Sequence, residues 1–443
     1  MPKGNIGTIA AQRALFKLLI DNNIDLSVST PNPDVFKLTH PESRGMKVYG
    51  PLTPSVGNKT IHNYLQWVVL TAFNLTLFTF MASLMQIGVK FSSRADVIDR
   101  MRKCDALIDL NLELLRGVPI SVSPTLIKRK PRVLIIHKLF WSFRILQNLW
   151  FLIIAKCISK KKLILGPASF GPFDDLPIIV RWLIKVTLTK FINLILVREP
   201  FSAKLLDKLG IRNYQLVADT ALIDESNDSS SVPPHSSKQT IGVAPAMLRY
   251  TLTEEENENY IMAHAKCLDD FIIQGEEVIF LPSSLDDVVM SKRIMSKMKY
   301  AHQAKIIITN DVNEYQSVIR GLKLLITTRM HPSIIAAKNF IPFISIIYDH
   351  KQIGFLSQIG LKNFSISIGG ISYDSLKLKI NEVIQNHTKI KEKMKFTIPK
   401  LQEQYKAKLL YSVFNLNSLS QTRLCKHEGK NLYSEKKTRT ESE

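Results

Sequence analysis

The feature that most constrains this chain is a succession of short apolar runs, each ending in a polar corner and each followed by a helix-patterned segment. After Gly321, Leu322, Leu324, Leu325 and Ile326 form a short apolar run, which reads as a strand buried on both faces. Thr327 and Thr328 follow. From Pro332 onward Ile334, Ile335, Ala336 and Ala337 suit a short packed helix, and proline fits its first turn, where a missing N–H has no partner to lose. A second strand, Pro342 to Ile347, comes at once. The same alternation recurs at Ala106 to Leu110, Leu163 to Leu165, "INLILV" from Ile192, "YQLVADTAL" from Tyr214, "IGVAP", "EEVIFLPSS" and "KIIITND". Strand, helix and strand in repeated order imply parallel βα units.

A polar stretch, "DESNDSSSVPPHSSKQT", divides two such series and reads as a linker or exposed loop. The expected organisation is an N-terminal α/β domain over 1–223, a linker over 224–239 and a second α/β domain over 240–370. A helical segment over 371–412 and a polar, disordered tail over 413–443 complete it. Near the start, "GNIG" precedes an amphipathic helix over Ile9 to Leu19. The fold class is α/β: two doubly wound, Rossmann-like parallel-sheet domains facing a cleft, the arrangement called GT-B.

Charge narrows the partners. The chain has 443 residues and a formal net charge of +21, which favours anionic partners such as phosphates, acidic sugars or anionic lipid. No zinc finger, RRM-type aromatic motif or basic heptad region points to nucleic acid, so none is expected. Cys104, Cys157, Cys267 and Cys425 have no CxxC or CxxH spacing, which argues against a disulfide framework or structural zinc and fits a reducing compartment. No apolar leader follows Met1, so a cytoplasmic location is expected.

Three apolar stretches bear on membranes. Asn63 to Val89 carries no charge and is long enough to span a bilayer, but Gln66, Asn74 and Gln86 interrupt it. "VLIIHKLFWSFRILQNLWFLIIAK" contains His137, Lys138 and Arg144. "IIVRWLIKVTLTKFINLILV" sets Arg181, Lys185 and Lys190 among Trp and Leu. Cations in these positions make a span costly and suit helices lying on an anionic membrane surface, at the inner face of the cell membrane. The alternative is that they are core helices of the first domain.

Arg329 and His331 stand at a strand-to-helix corner in the second series. Ligands of open α/β sheets bind at the carboxyl ends of strands, and a helix N-terminus favours an anion. Arg329 supplies a permanent charge with forked donors, and His331 can give or take a proton near neutrality. Equally, Arg329 can pair with a structural acid and His331 can cap the turn.

Several ordered pieces resemble the polysaccharide pyruvyl transferase family. They are "GNIGTIA", "GPASFGPF" at Gly166 to Phe173, "LVREPFSAKLLDKLGI" at Leu196 to Ile211, "VADTAL" at Val217 to Leu222, and "TTRMHPSIIAAKNFIPFISIIYDHK" at Thr327 to Lys351. The resemblance implies transfer of the pyruvyl unit of phosphoenolpyruvate to a sugar acceptor, free or lipid-linked, giving a pyruvate ketal and releasing phosphate. It implies no metal and no cofactor beyond phosphoenolpyruvate as co-substrate. Arg198 and Arg329 are implied to hold the donor's anions. His331 matches the family's active-site histidine, Met330 lays its backbone against the same ligand, and Ser169 matches a ligand-facing position. Asn5 and Gly7 fall in the acceptor-side loop of the first domain. The donor carries a phosphate and a carboxylate, so two cationic groups make chemical sense. Protonation of its enol carbon makes the adjacent carbon electrophilic, and two sugar hydroxyls then add in turn.

Two departures stand out. Thr8 follows Gly7 where the family often has Asp, and the strand that normally precedes this loop has no counterpart, so an upstream extension is expected to stabilise the fold. Residue-level alternatives for Arg198 are ion pairs to Glu199 or Asp207, and for Asp219 a turn cap. Two other functions share the features above: a GT-B glycosyltransferase using a nucleotide sugar, and a non-enzymatic basic scaffold at the membrane surface in envelope assembly.

Overall fold

A computed structural model describes residues 5–30, 33–49, 95–110, 115, 131–174, 176–223, 239–248 and 252–414. The first half runs α1 (Ile6–Asp21), β1 (Ser27–Ser29), α2 (Pro33–Thr39), β2 (Lys47–Tyr49), α3 (Ala95–Lys103), β3 (Ala106–Asp109) and α4 (Pro131–Ser159). It continues with β4 (Lys162–Ala168), α5 (Ile178–Lys190), β5 (Leu194–Val197), α6 (Pro200–Lys208), β6 (Tyr214–Leu216) and α7 (Thr220–Ile223). The second half runs β7 (Thr240–Ala244), α8 (Glu254–Ile273), β8 (Glu277–Phe280), α9 (Leu285–Met295), β9 (Ala304–Ile306), α10 (Val312–Arg320) and β10 (Leu324–Thr327). Then come α11 (Met330–Lys338), β11 (Phe343–Ile347), α12 (His350–Gln358), β12 (Ser365–Ser367), α13 (Tyr373–Gln385) and α14 (His387–Phe414).

The strands form two parallel sheets and a small parallel pair, β1 with β2. The first sheet has the sequential order β3-β4-β5-β6. Its central strands are buried on both faces, β5 completely, which is why they read as continuous apolar runs. Right-handed crossovers along a sequential order keep returning helices on one side, and α4 and α5 accordingly pack together. The second sheet has the order β12-β11-β10-β7-β8-β9. Its chain starts at β7, moves outward to β8 and β9, then restarts on the other side of β7 at β10. The reversal puts a crevice between the carboxyl ends of β7 and β10, where Leu324 pairs with Ile241 and Thr327 with Ala244.

Two helices tie the halves together. In α1, Asn5 caps the N-terminus, its Oδ1 accepting from Gly7 N at 3.0 Å. Ile6, Ile9, Leu15, Leu18 and Leu19 are buried, each contributing roughly 1.5–3 kcal/mol. They join one core with Ile164, Leu194 and Leu196 of the first sheet and Val243, Leu325 and Ile326 of the second. Ile6 N donates to Ser283 O at 3.1 Å, and Thr220 Oγ1 donates to Ala11 O at 2.6 Å. At the other end, α14 runs back from the second sheet to the first, where Gln402 Nε2 donates to Leu222 O at 2.8 Å.

The strands anticipated from apolar runs form, and β1, β2 and β12 are additions. The helix anticipated over Ile9 to Leu19 spans Ile6–Asp21, because the Asn5 cap starts it earlier. The helix anticipated from Pro332 starts at Met330. The basic segment near the C-terminus is helical to Phe414 despite Pro399 within it. Residues 63–89, the polar stretch over 224–238 and the tail over 415–443 lie outside the described residues. Among the described residues no helix is long and apolar enough to cross a membrane. Helices α4 and α5 bury Ile145, Leu149, Leu152, Val180, Ile184 and Leu188 in the core of the first sheet.

Candidate active site

Three polar groups stand in a row on the carboxyl edge of the first sheet, because each follows a strand of that sheet. Ser169 comes directly after β4, Arg198 directly after β5, and Asp219 shortly after β6. The ladder continues into these corners: Arg198 N donates to Ala168 O at 3.1 Å and Val217 N to Val197 O at 2.8 Å. Arg198 is 1 % exposed. Its Nε donates to Ser169 Oγ at 2.8 Å and its Nη1 to Asp219 Oδ2 at 2.8 Å. Asp219 Oδ1 also accepts from Ala221 N at 3.0 Å, so the expected turn cap is present and is only part of what Asp219 does. Burial disfavours its charge, but Arg198, His331 and the Ala221 amide outweigh that and hold its pKa below the ordinary value. Arg198 pairs with this acid; Asp207 instead pairs with Arg212, and Glu199 caps α6 by accepting from Phe201 N and Ser202 N.

The second sheet presents its own corner at the reversal between β7 and β10. Thr328 N donates to Ala244 O at 3.0 Å. The buried Tyr260 hydroxyl bridges the two strand ends, 2.7 Å from Thr328 Oγ1 and accepting from Ala246 N at 3.3 Å. Burial pushes its pKa up, so it remains a donor at neutral pH. Arg329 projects next. Its Nε and Nη2 donate to the two oxygens of buried Asp287 at 3.0 and 2.5 Å, the forked geometry that arginine makes with a carboxylate. Burial works against its charge, but Tyr348 and Asp287 outweigh it and raise the pKa. The guanidinium is therefore a fixed cation. Its side chain retains 21 % exposure, in contrast to Arg198.

The two edges meet at His331. It lies in the first turn of α11 with its side chain 14 % exposed, and its Nε2 sits 3.7 Å from Asp219 Oδ2. On its other side stands the N-terminus of α1. A Cβ placed on Gly7 would lie 2.3 Å from His331 Cβ and 2.5 Å from its Nδ1, a separation that only glycine can accommodate here. Gly7 is thus brought against the ring, and Asn5 caps the helix turn that carries it. Met330 is buried and opens α11, so its backbone lies at the helix N-terminus while its side chain is core.

All the anticipated positions therefore collect at one junction of the two carboxyl edges. The sequence reading did not single out Asp287, and it assigned Asp219 only a capping role. Asp287 follows a strand of the second sheet by a few residues, as Arg329 does, and that shared position was the available signal. The junction combines an exposed part of a permanent cation, helix N-terminal amides, and an imidazole beside a buried carboxylate. Such a set can bind an anion and move a proton.

Comparisons with known proteins bear on family and fold. The chain is 25% identical over 232 residues to the amylovoran biosynthesis protein AmsJ of Erwinia amylovora, covering 46% of this chain and 54% of AmsJ, so it spans about half the length of that relative. Among solved structures it is similar to the S. aureus MnaA–UDP co-structure, with a TM-score of 0.56 at 11% identity over 94% of this chain and 95% of that one. It is similar also to a glycosyltransferase from Rickettsia africae, with a TM-score of 0.53 at 11% identity over 95% and 97%. At such identities the likeness concerns fold, and the fold is the GT-B type. Residues 134–350, which contain Ser169, Arg198, Asp219, Asp287, Arg329 and His331, match the model of the polysaccharide pyruvyl transferase family.

Proposed function

We propose that this protein transfers the pyruvyl unit of phosphoenolpyruvate to a sugar of a polysaccharide or glycan, forming a pyruvate ketal and releasing phosphate. The observation that carries the reading is the meeting of the two carboxyl edges at His331, 3.7 Å from Asp219 and next to the partly exposed Arg329. The family match over residues 134–350 supports the reaction class. In this scheme Arg329 and the first-turn amides at Met330 and His331 bind one anionic group of the donor, and Arg198 with Ser169 lines the facing wall. Two sugar hydroxyls form two C–O bonds to the central donor carbon. One hydroxyl proton ends on the methylene carbon, which becomes methyl, and the other leaves with phosphate as the C–O bond to phosphate breaks. His331 is assigned the proton transfers, with the Asp219 carboxylate beside its ring. Asn5 and Gly7 are assigned to the acceptor side. The acceptor is a sugar, free or lipid-linked.

A donor screen by thermal unfolding tests the proposal, since a ligand that binds the native state raises its apparent stability. Phosphoenolpyruvate should raise the melting temperature, whereas UDP and GDP should not. The opposite result favours a nucleotide-sugar glycosyltransferase of the same fold, and no response to any donor favours a scaffold. Arg329→Lys keeps charge but loses the fork and should weaken donor binding by roughly 1.5–3 kcal/mol. His331→Gln should keep donor protection while lowering phosphate release by about 10²-fold or more. Normal turnover in His331→Gln would remove the histidine from the mechanism.

A further inference from the structure

We propose that the edge made by the first turns of α5 and the projecting half of α4 docks on an anionic lipid surface, beside the mouth of the candidate site. The proposal is independent of which group the enzyme transfers. Helix α5 buries Val180, Ile184, Thr187 and Leu188 against the sheet. Its opposite face leaves Ile178, Ile179 and Trp182 exposed by 77, 60 and 55 %. Those three residues occupy the first two turns only; farther along, the outward positions are Lys185, Thr189 and Lys190. The apolar end is therefore confined to one end of the helix, and topology fixes which. Helix α5 follows the loop that begins with Ser169 at the carboxyl end of β4, so its first turn lies at the carboxyl edge with Arg198 and Asp219.

Helix α4 adds to the same edge. It packs beside α5 and enters β4 from the opposite edge. The seven residues of β4 span about 23 Å, which about sixteen helical residues match. Of the 29 residues of α4, those before Phe143 thus extend past the carboxyl edge. Leu139 in this part is 63 % exposed, and the Arg144 guanidinium lies 5.5 Å from the Trp141 ring centroid. Neither helix contains an Asp or Glu, while Lys138, Arg144, Arg181 and Lys185 are cationic. In the adjoining loop, Asp174 is neutralised by Lys208 Nζ at 2.5 Å. Exposed Ile and Trp on helices that carry cations and no acid is the composition of an interfacial helix, apolar groups entering the acyl boundary and cations meeting phosphates. Helix α5, at 13 residues, is too short to span a bilayer.

The full chain is sedimented with vesicles of phosphatidylcholine containing about a third phosphatidylglycerol, and with phosphatidylcholine alone. Binding should favour the anionic vesicles by about tenfold, and brominated acyl chains should quench Trp fluorescence in the parent but much less in Trp182→Phe. A variant with Ile178→Ser, Ile179→Ser and Trp182→Ser should lose about tenfold or more of the binding while melting like the parent. A second variant with Lys138→Gln, Arg181→Gln and Lys185→Gln should lose the preference for anionic lipid. The proposal is overturned if the serine variant sediments like the parent, because another segment then binds. It is also overturned if lipid charge has no effect, or if light scattering shows a dimer that the serine variant splits, because the occupant is then a second copy.

Discussion

Replacing Arg198 with methionine separates two roles for this residue, brace and donor contact. The side chain is 1 % exposed and spends Nε on Ser169 and Nη1 on Asp219. Without the cation, Asp219, itself 3 % exposed, keeps only the Ala221 amide and His331 as counter-groups. Breaking a buried pair by removing one member costs about 3–5 kcal/mol, because the other charge stays buried uncompensated. At roughly 2–4 °C per kcal/mol for a domain of this size, Arg198→Met should lower the melting temperature by about 6–20 °C at neutral pH. The pH dependence follows from the sign of the Asp219 shift. Its folded pKa lies below the ordinary value of 3.8, so its stabilising contribution is present above 3.8 and fades as pH falls through the folded value. In Arg198→Met burial dominates and pushes the carboxyl up. The deficit of the variant should therefore be largest near neutrality and shrink as acid protonates Asp219. Adding Asp219→Asn to Arg198→Met should recover most of the loss, because the orphaned charge is gone. Calorimetry or circular dichroism across pH reads all three. If Arg198→Met melts with the parent and loses only protection by phosphoenolpyruvate, the brace argument fails and Arg198 is a donor contact.

Three further outcomes follow from the same geometry. Gly7→Ala places a Cβ 2.3 Å from His331 Cβ; it should cost about 1–3 kcal/mol and shift the His331 ring resonances in NMR, and unchanged resonances would show that α1 does not seat the ring. Gly354→Ala drives a Cβ to 2.4 Å from Glu199 Oε2, so the contact of α12 with α6 should open and hydrogen exchange at Phe201 and Ser202 should accelerate; unaltered protection there contradicts the contact. Thr253→Ala removes a complete capping box with Glu256 and should cost about 1 kcal/mol, read as faster exchange in the first turn of α8 with the site unaffected.

Local pattern was enough to predict the parallel βα alternation, because a strand buried on both faces must be apolar throughout and a covering helix must repeat at its own period. It was enough, too, to mark Arg329 and His331, since charge beside such strands is costly without a purpose. What it could not reveal was the company these residues keep. Arg198 meets an acid 21 positions away and Arg329 one 42 positions away, and a pairing at that range depends on strand order. The order β3-β4-β5-β6 lines up Ser169, Arg198 and Asp219, and the reversal between β7 and β10 opens the crevice beside Arg329. The contact of Gly7 with His331 is more remote still, because α1 is placed by a core shared between two sheets. Periodicity reports which face of an element is buried; which buried faces meet is decided only when the sheets are assembled, and here that assembly brings the first helix, Asp219 and His331 to one point.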